Sequence, residues 1–222
     1  LPISVKLRTT ANRDNIAALN PDHIILATGA QRVAPDIPGK AQRHVLDGDE
    51  LRGILFGSNR EAIAKLSVLQ RLILNTGRLS QLLRHIGLMR FLSKIWMPIT
   101  KEVVIIGGGL VGLELAEYLV ERRRSVTVLE PGPAFGPELA IVRRARVLYM
   151  LQAHGATLHK SVEDIVIGKR AVSFSLVGET QEKECDQVII AMGAQPDDSL
   201  SKELSENSAQ IHQIGDCRRV GY

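Results

Sequence analysis

The chain has 222 residues, a net charge of +4, 45% hydrophobic residues and 4% aromatic residues. That length allows one large domain or two small ones, and the shortage of aromatics argues against a nucleic-acid binder that works by stacking bases. Its two cysteines, Cys185 and Cys217, lie far apart, which argues against a CxxC redox pair, a zinc ribbon or a disulfide framework and fits a reducing cytoplasm.

No apolar run approaches the roughly 18 residues a membrane span needs, and the opening LPISVKLRTT resembles neither a signal nor a transit peptide. It reads as a start in the middle of a longer chain. In PDHIILATGA, Pro21-Asp22 is a turn, His23 to Ala27 an apolar run with β-branched members, and Thr28-Gly29-Ala30 its end. QRVAPDIPGK is loop-like with two prolines, and VLDGDELRG suggests the beginning of a helix. Residues 59–97 show apolar residues at helical spacing: Leu79, Leu82, Leu83 and Ile86 share one face, as do Leu88, Phe91, Leu92, Ile95 and Trp96. Two or three amphipathic helices are expected there, broken at Gly77 and Gly87 and ended by Pro98, with Arg71, Arg78, Arg84, Arg90 and Lys94 on the polar faces. Residues 60–101 hold eight Lys or Arg against one Glu, a local balance of +7, so the remainder is mildly acidic. Such a segment more often covers an apolar surface of its own protein, its cations snorkelling, than lies on a membrane. Neither a nucleic acid nor a membrane is expected as a partner.

From Lys101 the pattern alternates between strand and helix. EVVII reads as a buried strand, LVGLELAEYLVERR as a helix and SVTVLE as a second strand. PELAIVRRARVLYMLQAHG reads as a second helix with Gly155 at its C-terminal cap. The short runs ATLHKS, EDIVIG and AVSFSLVG suggest a small antiparallel excursion, after which CDQVIIAMGA returns as a buried strand. The order is that of an open α/β sheet.

VVIIGGGLVGLELAEYL contains G-x-G-x-x-G at Gly107, Gly109 and Gly112, between an apolar strand and an amphipathic helix. Alone the pattern is weak, but a second strand follows and ends on Glu130, 23 residues past the first glycine, near the ~20 of dinucleotide-binding units. Gly107 permits the tight turn, Gly109 lets backbone approach a pyrophosphate, and Gly112 lets the helix pack close to the strand. The helix start at Leu110 and Val111 turns unpaired N–H groups and the positive dipole end toward phosphate. Glu130 can accept from both adenosine ribose hydroxyls and repels a 2′-phosphate. Pro131-Gly132-Pro133 supplies no offsetting cation, so NAD(H) is preferred over NADP(H), unless Arg122, Arg123 and Arg124 curl back. Glu114, placed in the first helical turn, has two open readings: a helix-dipole carboxylate, or a group shaping the nicotinamide end of the site.

PDHIILATGA, VVIIGGGLVGLELAEYL with VTVLE, and CDQVIIAMGAQPDD with IHQIGDC occur together in this order. In this the chain resembles the two-dinucleotide-binding flavoprotein reductases, where an NAD(P)-binding domain is inserted into a FAD-binding domain. VLDGDELRG, WMPITKEVVIIGGGLVGLELAEYL and IGDCRRVGY narrow the resemblance to the C-terminal half of NADH:flavin oxidoreductases related to 2,4-dienoyl-CoA reductase and trimethylamine dehydrogenase. The fold so implied is α/β: a Rossmann-like NAD(P)-binding domain, a parallel sheet with a small antiparallel excursion, inserted into an incomplete FAD-binding domain. The expected divisions are 1–50 and 205–222 for the FAD-binding parts, 51–99 for the basic helical segment and 100–204 for the NAD(H)-binding domain. The resemblance implies that Gly107, Gly109, Gly112 and Glu130 bind NAD(H), that Gly193 lies near the nucleotide, and that Asp216 holds a ribityl hydroxyl of FAD with Gly215 making room. Thr28 and Gly29 mark the domain crossover. It further implies FMN and a [4Fe-4S] cluster in an N-terminal barrel absent from this chain, and dinucleotides and the missing segments as partners, in a parent expected to be homo-oligomeric. No catalytic residue and no metal ligand is expected, because the cofactors carry the chemistry. The glycine usual after the first NAD-domain helix is replaced by Arg124-Ser125, and the FAD domain's own glycine motif is absent, so the chain is expected to bind NADH weakly and to retain no FAD. The alternative is a structural module that holds only an ADP moiety. A disulfide reductase is disfavoured by the lack of CxxC, and a short-chain dehydrogenase because Tyr118 and Tyr149 lack a lysine four residues on.

Overall fold

The computed structural model describes residues 3–32, 35–56, 59–66, 71, 97, 99–205 and 209–220. The chain forms two compact units, one made of residues 1–33 and 194–222, the other, residues 34–193, inserted between those two stretches.

The inserted unit is built on a parallel sheet of β3 (Val45–Asp47), β4 (Glu102–Ile106), β5 (Ser125–Glu130), β6 (Thr157–Lys160) and β10 (Gln187–Ile190), in the order β3-β10-β4-β5-β6. The central strands β4, β5 and β10 read as largely apolar runs because both faces are covered. Val103 and Ile105, Val126 and Val128, and Ile189 face one side, where helices pack: α2 (Gly48–Phe56), α3 (Arg60–Lys65), α4 (Leu110–Val120) and α5 (Ile141–Ala153). Val104, Ile106, Leu129, Val188 and Ile190 face the other, against an antiparallel meander of β7 (Val162–Ile167), β8 (Ala171–Leu176) and β9 (Glu179–Glu184). Burial of each such side chain stabilises by roughly 1.5–3 kcal/mol, and the period of two delivers alternate residues to separate cores. This is a Rossmann-like α/β fold, in agreement with the sequence.

Several local expectations change. VLDGDELRG begins as strand β3 and only then becomes α2, whose start is a capping box: Glu50 N–H donates to Asp47 Oδ1 (2.7 Å) and Asp47 N–H to Glu50 Oε2 (3.1 Å). The second helix starts at Ile141, not Pro137, because Leu139 is drawn into the core and residues 131–140 fold over the glycine turn. ETQEKE is strand β9, unforeseen because its exposed edge is polar on both faces. Val177 (φ 53°) and Gly178 (φ 80°) make the tight turn between β8 and β9.

The first helix stops at Val120. Arg124 N–H donates to Leu119 O (3.1 Å) and Arg123 N–H to Val120 O (2.9 Å), the paired bonds of a Schellman cap, with Arg123 at φ 58° in the left-handed place glycine usually fills. Helix α5 ends in the same motif, with the expected Gly155 at φ 80° and bonds from Ala156 to Leu151 and from Gly155 to Gln152 (both 3.0 Å).

Of the basic segment, α3, Arg71 and Met97 are described; the apolar stripes from Leu79 to Trp96 and Arg78, Arg84, Arg90 and Lys94 lie outside the described residues. Arg71 is no idle surface cation. Its guanidinium donates to Leu66 O and Ala64 O (both 3.0 Å), and Arg43 donates to Lys65 O (2.9 Å) and Leu66 O (3.0 Å), so two arginines satisfy the carbonyl end of α3.

The other unit pairs β1 (His23–Leu26) with β12 (Gln210–Gln213) in parallel, and β2 (Ala30–Arg32) with β11 (Ala194–Pro196) antiparallel. Ile24 and Leu26 pack with Leu204, Ala209 and Cys217, beside the short helices α1 (Arg13–Ala17) and α6 (Ser199–Glu203). The divisions fall at 33/34 and 193/194, where the sequence suggested 50/51 and 204/205. The difference is physical: β3 hydrogen-bonds to β10 and so joins the large sheet, while β11 pairs with β2. Among the described residues no helix is long and apolar enough to cross a membrane.

Candidate functional site

The carboxyl ends of β10, β4 and β5 lie side by side, and each runs into a loop carrying predicted site residues. After β4 the chain turns sharply at Gly107 (φ 111°), whose N–H donates to Leu129 O (2.8 Å). A Cβ on Gly107 would lie 2.8 Å from Ala191 O, and one on Gly112 would lie 1.9 Å from Gly107 O, so both glycines answer to backbone packed against them. Gly109 differs. Among the described residues, the heavy atoms found near its Cβ position are carboxyl atoms of Glu138, with Oε1 at 2.8 Å. Helix α4 therefore starts, with Gly109 as an N-cap offering no side chain, at a place beside a carboxylate oxygen. Leu110 N–H donates to that Glu138 carboxylate, and Val111 next to it is exposed.

Glu130, at the end of β5, is half-buried. Its Oε2 accepts from Gly108 N–H (2.5 Å) and its Oε1 from Gly132 N–H (2.6 Å). A carboxylate offers about four acceptor directions, so two remain for a ligand. Arg122 and Arg124 do not curl back. Arg122 is buried with its guanidinium 3.4 Å from the Tyr118 ring centroid, and Arg124 donates to Ile99 O and Arg122 O (both 3.2 Å). They sit at the start of β5, about 16 Å of strand away from Glu130. Lys160 is paired with Glu130 in the register of β6, a neighbour not foreseen from the sequence.

Residues 131–140 form a strap over the glycine turn. Gly136 N–H donates to Gly108 O (2.8 Å), a Cβ on Gly108 would lie 2.4 Å from the Phe135 ring, and Glu138 reaches Leu110. Phe135 and Glu138 do not stand out in the sequence because PELAIV has the composition of a helix start; the Gly136-Pro137 break is the signal that marks them.

Glu114 falls in the second turn of α4, since Leu110 is the first helical residue, so it is not a first-turn dipole carboxylate. It forms an ion pair with Arg143 of α5, both side chains half-exposed. Gly193 (φ 95°) follows the end of β10, in the same unit as Gly107. Gly215 (φ 68°) and Asp216 belong to the other unit, in a short 3-10 turn after β12, with Asp216 exposed. In that unit Thr28 Oγ1 donates to Asp197 O (2.9 Å) beside Gly29. Hydrogen bonds from Ser199 and Gln31 hold the Asp197 carboxyl below its usual range.

These residues fit the ADP portion of a dinucleotide. Gly109 is open toward the helix amides, an anionic oxygen already stands there, and Glu130 keeps free acceptor capacity beside the turn. Among the described residues no group of three or more His, Cys, Asp or Glu could hold a metal ion.

The family model described as pyridine nucleotide-disulphide oxidoreductase matches residues 4–216. The chain is 27% identical over 217 residues to a bilirubin reductase of Mediterraneibacter gnavus (strain CC55_001C), covering 98% of this chain and 28% of that protein. It is likewise 27% identical over 222 residues to an NADH oxidase of Thermoanaerobacter brockii, covering 99% and 28%. Among solved structures, a 2-naphthoyl-CoA reductase in complex with 2-naphthoyl-CoA is similar at a TM-score of 0.67 and 26% identity, over 99% of this chain and 27% of that one. The chain thus spans a little over a quarter of the length of these relatives.

Proposed function

Because this chain belongs to the pyridine nucleotide-disulphide oxidoreductase family, we propose that its inserted unit holds NAD(H) and that the whole protein is a flavin-dependent oxidoreductase. The observation that carries this is the turn from Gly107 to Gly112, where a side-chain carboxylate and not backbone stands against Gly109, with Glu130 on the neighbouring strand. In this reading the amides that open α4 hold the pyrophosphate, Glu130 accepts from the adenosine ribose, and the loop at Gly193 borders the nucleotide. A bound nicotinamide supplies a hydride for a flavin. The protein's part is to hold the dinucleotide in one orientation. Asp216 and Gly215 contribute to a FAD site in the other unit. Glu130 favours NAD(H) over NADP(H), and Lys160, its partner in the register of β6, is the neighbouring cation that would temper that preference.

The finer reading places the protein with the 2,4-dienoyl-CoA reductase and trimethylamine dehydrogenase group, with FMN and a [4Fe-4S] cluster in a barrel outside this chain. The length of the relatives, which leaves room for such a barrel, supports it. A cytoplasmic location belongs to the same proposal, supported by two buried, unpaired cysteines.

One observation favours a second reading, a module that holds only ADP: the carboxylate best placed for the nicotinamide end, Glu114, is already engaged by Arg143. Titration of the chain with NADH, NADPH and ADP separates the two. Tighter binding of NADH than of ADP, with NADPH weakest, supports the oxidoreductase; equal binding of NADH and ADP supports the module.

A further inference from the structure

We infer that Glu138 is a built-in competitor for the dinucleotide pyrophosphate, its carboxylate placed on the phosphate seat at the start of α4 and setting the affinity by its withdrawal. This rests on the reading of the glycine turn as a dinucleotide site.

Two contacts place the Glu138 carboxylate. It accepts the N–H of Leu110, the first residue of α4, and its Oε1 stands 2.8 Å from where a Cβ on Gly109 would be. Both are positions that an incoming phosphate oxygen needs, since the open side of Gly109 and the first helical amides are what the motif offers. The carboxylate is not a chance visitor from a loose loop. Gly136 N–H is bonded to Gly108 O (2.8 Å), the Phe135 ring lies against Gly108, and Leu139 is buried in the core beside Leu113. Residues on both sides of Glu138 are therefore fastened, and its side chain is the part of the strap able to move.

Like charges cannot share one amide. The dinucleotide must displace a charge-assisted hydrogen bond before it gains its own, so part of its binding free energy is spent on the exchange. The same contact satisfies an otherwise unpaired helix amide and keeps the turn in shape when no nucleotide is bound.

The test is equilibrium binding of NADH, ADP and adenosine to the wild-type chain, E138Q and E138A, by nucleotide fluorescence or calorimetry. E138Q, which keeps the shape and loses the charge, binds NADH and ADP several-fold more tightly; E138A binds them about ten-fold more tightly. Adenosine, which has no phosphate, binds all three alike. A merely structural role would weaken all ligands together and lower the melting temperature. If E138A folds poorly, isosteric E138Q carries the comparison. Unchanged or weaker NADH and ADP binding by E138Q overturns the role of Glu138 while leaving the dinucleotide site in place. Failure of every form, wild type included, to bind NADH, NADPH and ADP overturns the dinucleotide reading and the competitor with it.

Discussion

Gly109→Ala and Gly112→Ala add the same methyl group three residues apart, and the structure separates their consequences. At Gly112 the new carbon would sit 1.9 Å from Gly107 O, whereas a carbon and a carbonyl oxygen need roughly 3.3 Å. Gly107 cannot retreat. Its N–H is tied to Leu129 O (2.8 Å) and its far side lies against Ala191 O. Overpacking of this kind costs about 1–3 kcal/mol or more, against which an alanine inside a helix returns about 0.5–1 kcal/mol. A net loss of about 2 kcal/mol lowers the melting temperature by roughly 4–8 °C. At Gly109 the backbone (φ −71°, ψ −172°) suits any residue, and among the described residues the methyl meets the Glu138 carboxylate, which can swing aside. Gly109→Ala therefore melts within about 2 °C of wild type, helped slightly by the lower entropy of its unfolded chain. It does fill the space for pyrophosphate, so NADH affinity falls at least about ten-fold, equivalent to ~1.4 kcal/mol. Thermal melts by circular dichroism and NADH titration read both quantities. Equal melting temperatures for the two variants, or wild-type NADH binding by Gly109→Ala, would refute the reasoning.

Arg123→Gly replaces an exposed arginine held at φ 58° in a Schellman cap. Relief of about 1–2 kcal/mol of left-handed strain, less about 0.5–1 kcal/mol of glycine chain entropy, raises the melting temperature by a few degrees, and Gly155→Ala at the matching cap of α5 lowers it. Burial pulls the pKa of His44 and His159 down, with Lys183 adding to the effect at His159. The unfolded chain then binds protons first on acidification, so the stability these groups contribute is present above about pH 6.5 and is lost as pH falls below it. A melting-temperature profile from pH 8 to pH 5 shows that loss, and H44Q/H159Q flattens it; an unchanged slope would count against the assignment. Burial, with Asp186 nearby, pushes the Cys185 thiol up to about 11, so iodoacetamide at pH 8 modifies it only after denaturant is added, as mass spectrometry would report.

How much of this was legible in the sequence follows from the range over which each feature is decided. EVVII, VTVLE and QVII announce themselves because a strand buried on both faces is apolar along most of its length, and Gly112 is required by the Gly107 carbonyl just before it in the chain. Glu130 was found by its spacing, which a strand–turn–helix–strand unit imposes on any chain. These are local constraints, and the fold class and the central motif could be read from them. What tertiary structure decided was partnership. Glu179–Glu184 becomes a strand only because β8 offers an edge, and Val45–Asp47 joins the large sheet only because β10 lies open beside it. Glu138 is an ordinary helix-forming residue until a strap anchored at Gly136 and Leu139 brings its carboxylate to Leu110. Arg122 and Arg124 could have reached the ribose in sequence terms, yet the direction of β5 places them at its opposite end. Composition and period specify which residues must be inside. Where a charged group on a loop ends up is decided by the packing of the residues around it, as it was for Glu138.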